Sequence, residues 1–112
     1  MNRLLGCLLL GVTMATTGMH AAQAQEAGAY TITYIEVSHT ARTQATALLG
    51  GLAKEARKLD GNLRFEVLQR RDRNNQFAIL EAWKDKAAHD AYLAAAPAKE
   101  FRDKLAPMLI TG

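Results

Sequence analysis

Three stretches of the chain show the two-residue period of strands, and three show the three-and-four spacing of helices. Residues 30–37 (YTITYIEV) are rich in β-branched and aromatic side chains and nearly alternate, so they predict a first strand. From residue 40 or 41 to residue 59, Ala45, Leu48, Leu49, Leu52, Ala56 and Leu59 form one continuous apolar stripe, which predicts an amphipathic helix. Gly50 and Gly51 fall inside it, each at a cost of about 1 kcal/mol relative to Ala, and the expectation is that they permit close packing against a sheet. Asp60-Gly61-Asn62 ends the helix, with Gly61 available for a left-handed cap.

Residues 63–70 alternate again, with Leu63, Phe65 and Val67 on one face and Arg64, Glu66, Leu68 and Arg70 on the other. A polar turn (RDRNN, 71–75) joins this second strand to a third at 76–83 (QFAILEAW), completing a hairpin. The third strand is apolar on both faces: Phe77, Ile79 and Trp83 alternate with Ala78, Leu80 and Ala82, interrupted only by Glu81. Two apolar faces require two covering layers. A helix from Lys86 to about Ala96, N-capped by Asp85, and a further one over residues 98–105 beyond Pro97, ended by Pro107, supply the first layer.

The order strand, helix, strand, strand, helix is the ferredoxin-like α+β pattern, with helices on one face of an antiparallel sheet. The other face carries apolar positions of the third strand and Tyr, Thr or Ile of the first, and the chain has no further element to cover it. A second copy is the simplest cover, so the pattern predicts a two-fold homodimer.

The N-terminus changes the working length. Asn2 and Arg3 precede an apolar run over residues 4–12, and small residues lead to Ala22-Gln23-Ala24, the pattern of a secretory signal cleaved after Ala24. The run is far shorter than the roughly 20 residues of a membrane-spanning helix, so no stable membrane anchor is expected. Leu4-Leu5-Gly6-Cys7 matches a lipobox only superficially, because no apolar segment precedes Cys7. Cleavage leaves 88 of the 112 residues, with 13 Lys and Arg against 11 Asp and Glu and no cysteine. The expected location is the periplasm or the exterior.

Composition then excludes several chemistries. The whole chain is 49% hydrophobic, 22% charged and 6% aromatic, within the range of one small globular domain. A thiol-free mature chain has no thiolate nucleophile, iron–sulfur cluster or cysteine-based zinc site. The mild positive excess, with its one concentration at Arg70-Arg71-Asp72-Arg73 in a hairpin turn, points away from a nucleic-acid partner. No glycine-rich phosphate loop, paired-His zinc motif or G-x-S-x-G elbow is present.

The stretch Phe77-Ala78-Ile79-Leu80-Glu81-Ala82-Trp83, followed by Asp85-Lys86-Ala87-Ala88, Leu93, Phe101 and Leu105-Ala106-Pro107, resembles the antibiotic biosynthesis monooxygenase family. The resemblance spans about residues 30–110, within an expected domain of residues 29–112. It implies a dimeric α+β barrel and oxidation of a quinol, anthrone or related phenolic by dioxygen with no bound cofactor. It also implies that Trp83 lines the pocket, although a core indole would satisfy the same pattern, and that Glu81 matches a common family acid.

Family members frequently carry a histidine where this sequence has Tyr92 and another where it has Pro97. His89 stands where they usually carry an apolar residue facing the sheet. Residues 88, 89, 92 and 96 share one helical face, so His89 and Tyr92 could form a pocket wall beside two alanines, or His89 could sit solvated at the rim. Trp83, Tyr92 and His89 are the candidate catalytic residues; His39, in the loop after the first strand, is a weaker one. The two substituted histidines leave a non-catalytic dimer that binds an aromatic ligand or haem as the alternative reading. The family also continues into a fourth strand, for which residues 109–111 allow a stub at most.

Overall fold

The computed structural model describes residues 26–110; the expected signal segment lies outside them. Strand β1 (Ala29–Glu36) runs into a 3-10 turn (His39–Ala41) and helix α1 (Arg42–Arg57). Strands β2 (Asn62–Gln69) and β3 (Gln76–Trp83) form the hairpin, and helices α2 (Lys86–Ala94) and α3 (Ala96–Leu105) lead to a second 3-10 turn (Ala106–Met108). The sheet is antiparallel in the order β1-β3-β2, which places the most apolar strand in the middle. This is the ferredoxin-like α+β fold that the periodicity predicts.

Register assigns the two faces. Ile35 lies across from Phe77, Thr33 from Ile79, Thr31 from Glu81 and Ala29 from Trp83, while Val67 lies across from Ile79 and Phe65 from Glu81 on the other flank. These side chains share one face, since residues paired across an antiparallel ladder point the same way. Ile35, Phe65, Phe77, Ile79 and Trp83 are buried there with Ala45, Leu49, Leu52, Ala53 and Ala56 of α1, Tyr92 of α2, and Ala98, Phe101 and Leu105 of α3. The opposite face exposes Tyr30, Ile32, Tyr34 and Leu68.

Two loops fix the ends of the sheet. Asn75 in the hairpin turn is buried, its Nδ2 donating to the Val37 carbonyl at 2.9 Å while Val37 N donates back to the Asn75 carbonyl at 3.0 Å. Gly61 has φ +85, and a Cβ there would come within 2.7 Å of the Ala88 Cβ, so this turn allows α2 to pack close. Asp85 caps α2 as expected, accepting from Ala88 N at 2.8 Å.

Two expectations change, and the fourth strand takes the form expected of it. Gly50 and Gly51 do not serve close packing: both are exposed, and a Cβ at either would meet nothing within 4 Å, because the buried stripe of α1 runs along the opposite side. Ala96 does not share a helix with His89: α2 stops at Ala94, Ala95 is extended, and Ala96 begins α3 with Pro97 in its first turn, where the missing N–H costs no helix hydrogen bond. The fourth strand is the stub: Leu109 makes a single bridge to Val37, flanked by bonds from Ser38 N to the Met108 carbonyl (2.9 Å) and from Ile110 N to the Glu36 carbonyl (3.0 Å). The rest of β1 is an open edge. Among the described residues no helix is long and apolar enough to cross a membrane.

Candidate active site

The three candidate residues meet at one end of the core. Trp83 closes β3, and one helical turn of α2 brings His89 and Tyr92 onto the same side, facing it. The Tyr92 ring stacks on the indole at 5.0 Å between centroids with planes 24° apart, and Phe65 meets Tyr92 edge-on at 5.7 Å. His89 is tilted against both, 6.1 Å from Trp83 and 6.3 Å from Tyr92. His39, by contrast, is exposed in the 3-10 turn after β1, on a different element from the cluster.

Glu81 is the polar centre of this cluster. Two residues before Trp83 on the same strand face, it is 5% exposed and accepts the indole N–H through Oε1 at 2.9 Å. The bond satisfies the polar atom of an indole with 0% exposure, which would otherwise be buried unpaired. The same oxygen lies 3.8 Å from His89 Nε2, an ion-pair distance too long for a hydrogen bond. The His89 side chain is 18% exposed, at the margin of the cluster.

Burial differentiates the candidates. Trp83 is a core indole, held between the sheet and Tyr92. Tyr92 lines a groove of about 470 Å³ at the start of α2, shared with Leu59, Asp60, Lys84, Ala88 and Ala91. Desolvation, followed by the neighbouring Glu81 charge, raises the Tyr92 phenol well above its ordinary range, with Arg102 acting weakly in the opposite direction. Tyr92 is therefore a protonated hydrogen-bond donor and not a base.

Thr31 was not among the sequence candidates. It stands directly across from Glu81 on β1, and its hydroxyl is the one buried side-chain polar atom among the described residues that finds no hydrogen-bond partner. Strand period alone does not reveal this, because it depends on which residues face each other.

Among the described residues no three metal-ligating side chains come together. His89 Nε2 faces the Glu81 carboxylate.

Comparison with known proteins bears on the fold and the family. No curated protein matches the chain. Among solved structures, it superposes on a Nitrosomonas europaea protein named for the antibiotic biosynthesis monooxygenases, with TM-score 0.71 and 24% identity, covering 74% of this chain and 87% of that one. A conserved protein of Methanosarcina mazei Go1 is similar at TM-score 0.70 and 22% identity, over 74% and 82%. A Pseudomonas aeruginosa protein follows at 0.71 and 19%, over 80% and 90%. At these identities the likeness concerns the fold. The family model for antibiotic biosynthesis monooxygenases matches residues 29–104, from the first residue of β1 almost to the end of α3, and the chain belongs to that family.

Proposed function

We propose that this chain is a monooxygenase that oxidises a quinol, anthrone or related phenolic with dioxygen and without a bound cofactor. The observation that carries the reading is the cluster itself: a family domain that brings a buried carboxylate, an imidazole and a phenol donor against one indole. In such chemistry the substrate supplies all the electrons. One atom of dioxygen enters the product, the other leaves as water, and the protein orients the ring, takes a proton and stabilises the resulting oxyanion. His89 is the base, since Tyr92 stays protonated, and Tyr92 donates to the developing charge. The protein works after export and removal of residues 1–24, as a homodimer whose subunits cover each other's open sheet face.

The test is oxygen consumption by the mature protein with a panel of hydroquinones and anthrones. Uptake should fall at least tenfold in His89→Ala and more modestly in Tyr92→Phe. Wild-type uptake no greater than that of His89→Ala would sink the proposal. One observation favours a second reading, binding of an aromatic ligand without turnover: Trp83 is fully packed, so the indole offers no free face to a substrate. Saturable binding of a panel member with no oxygen uptake is its expected outcome.

A further inference from the structure

We infer that Thr31, Glu81 and His89 form a seat for a hydroxyl group, which gives the site its specificity for free phenols over their ethers; this rests on the proposed phenolic substrate. The starting observation is the Thr31 hydroxyl. A buried hydroxyl without a partner destabilises a fold, and a valine would fill the same space without that penalty. A threonine there makes physical sense if a ligand atom completes its hydrogen bonds.

The surroundings identify that atom. Across the ladder from Thr31 lies the Glu81 carboxylate, whose Oε1 already takes the Trp83 N–H and faces His89 Nε2. Opposed residues in an antiparallel pair hold their Cβ atoms about 5 Å apart, so one oxygen atom between them can reach both side chains. A ligand hydroxyl suits the pair: it donates to the carboxylate and accepts from the threonine. An ether oxygen accepts only and would leave Glu81 without that donor.

The seat lies beneath an open margin of the sheet. Helix α1 packs chiefly against β2, and α2 touches the end of β3. On the helix side of β1, Ile35 is buried whereas Thr33 is exposed and Thr31 and Ala29 are only half-buried. A ring approaches over this uncovered margin of β1, and the side chains that seal the Thr31 hydroxyl shift to admit its oxygen.

Trp83 is the only tryptophan, so its fluorescence reports on the cluster. The experiment is an anaerobic titration of the mature protein with 1,4-naphthohydroquinone and with its dimethyl ether. Wild type should bind the free hydroquinone at least tenfold more tightly than the ether. Thr31→Val should cut that preference below threefold while raising the melting temperature. Glu81→Gln, which keeps an acceptor for the indole N–H, should also cut it. Retention of the preference in Thr31→Val overturns the inference, as does a wild type that binds neither compound or does not distinguish them. Oxygen uptake without the preference removes the seat and leaves the oxidation; the preference without uptake does the reverse.

Discussion

The two faces of this sheet are built from similar side chains and end in opposite environments. On one, Ile35, Phe65, Phe77, Ile79 and Trp83 disappear under three helices. On the other, Tyr30, Ile32, Tyr34 and Leu68 face outward, Tyr34 with 81% exposure. Both faces follow the same two-residue period, so hydrophobic patterning reports that a face is apolar and not what covers it. Polar content differs more sharply. The covered face holds Glu81 and Thr31 among its apolar residues, where an unpaired polar atom is costly, whereas Arg64 and Glu66 on the open face pair with each other at 3.1 Å in solvent, a contact of little energetic weight.

The largest effect should come from truncating one side chain on each face. Trp83→Ala removes a fully buried indole and leaves Glu81 without its donor, so chemical denaturation should show a loss of about 3–5 kcal/mol. Tyr34→Asp should leave the core of a single subunit intact and act on association instead. Sedimentation of the wild type should show a dimer, and Tyr34→Asp a monomer that still unfolds cooperatively. A wild type that stays monomeric at high concentration would mean that the open face is covered by something other than a second copy.

Most of the fold was legible for a simple reason. The strands carry β-branched and aromatic residues at period two, and the long helix carries an unbroken stripe, so the observed ends of these elements fall within about two residues of the predicted ones. The site was only partly legible. Trp83, His89 and Tyr92 do come together because i and i+3 residues of one helix face the same strand end. Glu81 read as an interruption of an apolar strand, although its parity with Phe77, Ile79 and Trp83 already placed it on the covered face, where an indole N–H needs an acceptor. Thr31 and Asn75 were not legible, since their importance depends on pairing partners 50 and 38 positions away in the chain. The glycines of α1 misled because spacing shows where a helix lies but not which of its residues touch anything.

The chain's three tyrosines sharpen the comparison of faces, two standing on the open face and Tyr92 on the covered one. Burial holds the Tyr92 phenol above its ordinary value of 10.0, so the folded state favours the protonated form. Its contribution to stability is complete below pH 10 and is lost as pH rises beyond it, because the unfolded chain then releases the proton first. Tyr92 borders a groove, and solvent screening there limits the effect to about 1 kcal/mol at pH 11. Denaturant midpoints measured from pH 8 to 11 should therefore fall more steeply for wild type than for Tyr92→Phe. Parallel curves would mean that the phenol is solvated in the folded protein.

The smallest effect concerns the outer side of the helix layer, which belongs to neither sheet face. Gly50 and Gly51 sit in the third turn of α1 with normal helical backbone, exposed, and with open space where a Cβ would go. Glycine in a helix interior gives the unfolded chain more freedom to lose, and here no contact offsets that cost. Gly50→Ala and Gly51→Ala should each raise stability by about 0.5–1 kcal/mol, in contrast to Gly61→Ala, where positive φ and the approach to Ala88 oppose any side chain. A double variant with unchanged oxygen uptake and a higher melting temperature would show that the pair carries neither packing nor function. A loss of stability would mean that a partner, absent from the single chain, packs against this side of α1.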